Sequence, residues 1–167
     1  MRYGLNEETI RTIIDVFRQY PKIKKVILYG SRAKGTHKHS SDIDLTILAD
    51  NFGFNIPTGA TILGIVASVE MDNDSAYWVT NKLLKNGTAV GDNKSLDAGL
   101  PASESVVYFG GETDLWGTTW TAADINDEDF GIALKFEEGD DSSASVSIDH
   151  ITIKVYYEES AGSPASS

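Results

Sequence analysis

Two aspartates one residue apart, Asp42 and Asp44, follow a Gly30-Ser31 pair across a short polar spacer. Residues i and i+2 of a strand leave the same face, so both carboxylates would project together. Carboxylates held side by side repel one another unless a cation lies between them. Mg²⁺ takes oxygen ligands and is commonly held by one or two carboxylates plus substrate phosphates. A metal pair would polarise a transferring phosphorus and activate an attacking hydroxyl. A glycine such as Gly30 lets the backbone come close to a ligand. Successive N–H groups at such a turn can form an anion-binding nest, which a following helix N-terminus would strengthen. Ser31 adds a hydroxyl donor, and Arg32 and Lys34 add positive charge for a polyphosphate. The expectation is a site with Asp42 and Asp44 as metal ligands and Gly30, Ser31, Arg32 and Lys34 as polyphosphate-binding residues.

Such a site needs elements to hold it. Residues 6–19 read as a helix, with Asn6 as N-cap and Glu7 and Glu8 in the first turn, where the helix dipole favours negative charge. Leu5 and Ile10 have staple spacing across that cap. Ile10, Ile13, Ile14 and Phe17 form one apolar stripe, and Pro21 stops the helix. Lys24 to Tyr29 reads as a strand running into Gly30. A polar loop follows, and Ile43 to Leu48 reads as the next strand. His37 and His39 lie in the loop, where their spacing could bind a metal, but they are expected to be solvated.

The run Gly30-Ser31-Arg32-Ala33-Lys34-Gly35, the polar spacer, and Ser41-Asp42-Ile43-Asp44-Leu45 resemble the minimal nucleotidyltransferases of the polymerase-beta-like superfamily. The resemblance covers about residues 1–50. It implies Mg²⁺-dependent transfer of a nucleotidyl group from a nucleoside triphosphate to a hydroxyl acceptor. Gly30 and Ser31 would hold the triphosphate, and Asp42 and Asp44 two metal ions. Some members act as antitoxins beside small helical toxins of the HEPN type, which makes such a toxin an implied partner. The family also expects a third acidic residue on a neighbouring strand. Glu70 and Asp72 could supply it, or they are strand-end acids of a different module, which would leave the transferase truncated and inactive.

Beyond Asp50 the character changes. Short β-prone stretches alternate with Gly, Asn, Asp and Ser turns, with strands expected at 61–71, 77–85, 106–109, 131–137, 144–148 and 150–157. The aromatic and glycine-rich block from Tyr108 to Thr121 and the ending Ser147 to Tyr157 resemble a β-sandwich module of phage and bacterial structural or surface proteins. Trp116 and Trp120 could stack on a sugar or plug the core. Asp114, Asp124, Asp127 and Asp129 could hold Ca²⁺, or Asp124 caps a helical turn while the others are solvated. The predicted fold is α+β: a truncated nucleotidyltransferase-like helix–strand–loop–strand (1–50) fused to an antiparallel, jelly-roll-like β-sandwich (51–158), with a flexible tail (159–167). The joint falls near Leu48–Asn51, as in a fusion or chimera.

Charge follows the same division. Residues 1–50 carry nine Lys/Arg against six Asp/Glu, and residues 51–167 carry five against nineteen. The net charge of −11 disfavours long nucleic acids, whose phosphates require Lys/Arg. Cysteine is absent, which excludes disulfides and thiolate chemistry. No apolar run suits a membrane span, and the N-terminus lacks a signal-peptide pattern, so a cytoplasmic protein is expected. The alternative is a non-enzymatic structural or carbohydrate-binding β-sandwich in a chimeric chain, with a glycan partner, at a virion or cell surface.

Overall fold

The structure is a computed structural model that describes residues 2–21, 23–38, 44–74, 76–94, 101, 103–138 and 145–162. Helix α1 spans Glu7–Arg18. The Asn6 side chain caps it by accepting the Thr9 N–H at 2.7 Å. Strand β1 (Ile23–Tyr29) leads without a break into a short helix α2 (Gly30–Lys34), and β2 spans Asp44–Asp50. Six further strands follow: β3 (Thr61–Asp74), β4 (Ala76–Lys85), β5 (Thr88–Val90), β6 (Ser105–Gly111), β7 (Gly131–Glu138) and β8 (Ser145–Glu158). Helix α3 (Ala122–Asn126) precedes β7.

The strands form two antiparallel sheets, one ordered β1-β2-β7-β4-β5 and the other β6-β3-β8. Two strands predicted separately are one: β8 runs through residue 149. Glu70 pairs with His150 and Met71 with Ile148, so Asp149 is an extra residue in a bulge. The short β5 hairpin, turned by Asn86 and Gly87 at positive φ, was not anticipated.

The core lies between the sheets. Ile65, Ala67, Val69 and Met71 on β3 are fully buried at alternate positions, the period-2 pattern of a strand with one inward face. They belong to one cluster with Leu83 of β4, Ile132 and Leu134 of β7, and Ala49 of β2. Trp116 and Trp120 close the core. Both are buried, and their ring N–H groups donate to the carbonyls of Ile65 at 2.9 Å and Leu115 at 3.0 Å. They therefore cannot form the exposed sugar platform that their spacing allowed.

Three of the four carboxylates of the suggested Ca²⁺ site have partners that account for them. Asp114 accepts from Lys94 at 2.7 Å and from the Trp116 N–H. Asp124 is the reciprocal member of a capping box whose N-cap is Thr121, not Asp124 itself, and it pairs with Lys85. Asp127 accepts the Asp129 N–H. Among the described residues no group of three His, Cys, Asp or Glu side chains could hold a metal ion.

The N-terminal segment joins this architecture through β2, which pairs with β1 on one side and β7 on the other. At the joint Asn51 adopts φ 56° and donates its N–H to Glu128 O at 2.9 Å. Asn tolerates that left-handed conformation better than most residues. Gly131 lies opposite Asp50, and a Cβ there would overlap the Ala49 carbonyl, so only glycine permits this approach of β7 to β2.

Candidate functional site

Antiparallel pairing of β1 with β2 positions the candidate site. The register runs Ile27↔Thr46, Leu28↔Leu45, Tyr29↔Asp44. Asp44 therefore starts its strand directly across from Tyr29, the residue before Gly30. The predicted carboxylate position and the predicted phosphate turn meet at one edge of one hairpin. Val26, Ile27 and Leu28 favour an extended backbone. Helix α2 then forms at once, closed by the Gly35 N–H to Arg32 O at 3.3 Å and the Thr36 N–H to Ser31 O at 3.0 Å. The first backbone N–H groups of such a helix have no partner within it. Gly30 and Ser31 occupy those positions, and Ser31 is partly exposed.

The remaining predicted residues divide. Lys34 is exposed at the end of α2 and free to meet an anion from solvent. Arg32 is not: it is 6% exposed, and its Nη1 donates to the Tyr3 carbonyl at 3.2 Å. Its guanidinium thus contacts the N-terminal turn, a contact that the expectation of a phosphate-facing cation did not include. Asp42 lies outside the described residues, as does His39. His37 is half-buried rather than solvated; its ring lies against Gly4, and its Nδ1 is buried without a hydrogen-bond partner among the described residues.

The two suggested third carboxylates are not brought to Asp44. Glu70 and Asp72 lie on β3, in the other sheet. They alternate with Val69 and Met71, whose side chains fill the core, so they point to the outer face of that sheet. Their register partners are Val106 and His150 for Glu70, and Ser147 for Asp72.

Sequence reasoning missed the part played by residues 2–5. Tyr3 and Gly4 both have positive φ, and Arg2 and Leu5 exchange backbone hydrogen bonds at 3.2 and 2.9 Å, making a tight turn. The Tyr-Gly pair was a turn signal. Its docking on α2 had none, because that contact joins residues 29 apart in the chain.

Residues 11–76 match the family model described as polymerase beta, nucleotidyltransferase. The N-terminal part of this chain is nucleotidyltransferase-like. A protein of Methanocaldococcus jannaschii, named as a protein adenylyltransferase, is 38% identical over 66 residues, covering 34% of this chain and 66% of that relative. The chain thus spans slightly under two thirds of the relative's length. No solved structure matches. The family match ends in β4, beyond the Asp50 limit of the motif-based resemblance, and so includes Glu70 and Asp72 although their strand turns them away from the hairpin.

Proposed function

We propose that the β1–α2–β2 hairpin binds a nucleoside triphosphate with Mg²⁺ and transfers its nucleotidyl group to a hydroxyl acceptor. The Tyr29↔Asp44 register carries this reading, because it sets the aspartate strand beside the Gly30-Ser31 turn. Asp42 and Asp44 are the proposed metal ligands. Gly30 and Ser31 take phosphate oxygens through backbone N–H groups and a hydroxyl, and Lys34 contributes charge from the rim. Bound metal would neutralise the triphosphate and lower the pKa of the attacking hydroxyl. The name of the archaeal relative suggests a protein acceptor, and a helical toxin is one candidate.

Isothermal titration with ATP, with and without Mg²⁺, tests the reading. Asp44→Asn should weaken Mg²⁺-dependent binding by at least about tenfold, on the order of 1.4 kcal/mol. Wild-type protein that gives no heat with MgATP would end it.

A second reading follows from the sheets. Residues 51–158 then form a structural β-sandwich that has recruited β2, and the hairpin is vestigial. The pairing of β2 with β7 favours it, since a strand from the motif segment completes the sheet of the following region. Retained folding but no nucleotide binding would select this second reading.

A further inference from the structure

We propose that the Arg2–Leu5 turn is a latch that sets the conformation of the phosphate loop, with Arg32 and His37 as its positioning residues. The inference rests on the nucleotide-binding reading of Gly30 and Ser31 and adds a control to it.

Three observations carry it. Arg32 sits in the middle of α2, is almost fully buried, and donates to the Tyr3 carbonyl at 3.2 Å. A charge is buried only where hydrogen bonds replace its water, so the turn and α2 are tied at that point. Second, the His37 ring lies where a Cβ at Gly4 would fall. Gly4 also has φ +67°, so a side chain there is strained by conformation, and its Cβ would have to displace the His37 ring. Third, His37 Nδ1 is buried without a hydrogen-bond partner among the described residues. No hydrogen bond at that nitrogen fixes the ring, and its contact with Gly4 ties its position to the turn beneath it. The turn thus touches the loop twice, at Arg32 within α2 and at His37 just past it. Gly30 and Ser31, the proposed phosphate-binding positions, begin the helix that Arg32 anchors.

A ligand of Arg32 and an anchor through Arg32 predict different behaviour. If Arg32 contacted phosphate, Arg32→Gln would weaken nucleotide binding and flatten its dependence on ionic strength, because a charge contact would be lost. As a positioning residue, Arg32→Gln weakens binding while the salt dependence stays that of the wild type. Lys34→Gln flattens it instead.

The experiment combines two readouts on the full chain: hydrogen exchange of amides 30–38 without nucleotide, and MgATP affinity. Gly4→Ala should speed exchange in that loop by about tenfold, the scale of a side chain forced into left-handed backbone. Exchange in β7 should not change. Affinity should fall by a similar factor, and Gly4→Ala/His37→Ala should recover part of both losses by removing the overlap. Unchanged exchange in Gly4→Ala overturns the latch, and so does a flattened salt dependence in Arg32→Gln. Wild-type protein that binds no nucleotide sinks the transferase reading alone, since exchange still decides whether the turn governs the loop.

Discussion

The N-terminal helix and strand β3 are both amphipathic, yet they pack differently. Helix α1 carries a clear apolar stripe but has no buried residue. Ile14 and Val16 remain 44% and 46% exposed. A cleft of about 370 Å³ lies between α1 and the sheet, lined by Ile10, Ile13 and Phe17 of the helix, Val26 and Leu28 of β1, and Leu45 of β2. A second cleft of about 590 Å³ lies between α1 and β8. In contrast, Ile65, Ala67, Val69 and Met71 of β3 have no exposed surface. Amphipathic pattern selects the kind of element and the face that turns inward. Burial depends on how closely a partner surface approaches, and dispersion contacts vanish across gaps of this size.

The largest test of that contrast compares truncations. Ile65→Ala should cost about 2–5 kcal/mol, and Ile13→Ala under about 1 kcal/mol, because the helix position is already partly wet. Equal losses in denaturant unfolding would break the comparison. Next comes the seam between the regions. Gly131→Ala sets a methyl against the Ala49 carbonyl and should cost about 1–3 kcal/mol. Exchange should rise in β2 and stay unchanged at the β3–β8 pairing; unchanged exchange in β2 would show that the seam is looser than the register implies. Thr121→Ala removes the cap of α3 and should lower stability by about 1 kcal/mol in thermal unfolding.

The smallest effect is electrostatic. Partial burial pushes the Asp114 carboxyl up, but the Lys94 hydrogen bond, the Trp116 N–H and the Lys94 charge together hold it below its ordinary value. A depressed carboxyl contributes stability above its unfolded pKa and loses it as pH falls through the lower folded value. Lys94→Met should therefore reduce stability at neutral pH by under about 1 kcal/mol, given the pair's partial exposure. That difference should shrink in melts as pH drops below about 4. A difference independent of pH would assign the loss to the contact of the Lys94 ammonium with the Trp116 ring.

Much of the fold was legible because its signals are local. Asn6 before Glu7 and Glu8 marked the start of α1, and β-prone stretches between turn residues marked 61–71 and 150–157 as strands. Other features had no local signal. The bulge at Asp149 interrupts periodicity as a turn would, so the pattern reads as two strands where β8 is one. The aspartates of the supposed Ca²⁺ cluster read alike in sequence, and only their separate partners distinguish them.

By itself, the sequence determined that a helix and a strand lead into the Gly-Ser turn, and that the following region is built from strands. Residue type and spacing suffice for that, since backbone preference and side-chain direction act within a few residues. Only the tertiary structure decided that Arg32 faces the N-terminal turn, that Trp116 and Trp120 close a core, and that Glu70 and Asp72 face away from Asp44. Those outcomes depend on which strands pair and what surface covers each face, and both are set between residues far apart in the chain.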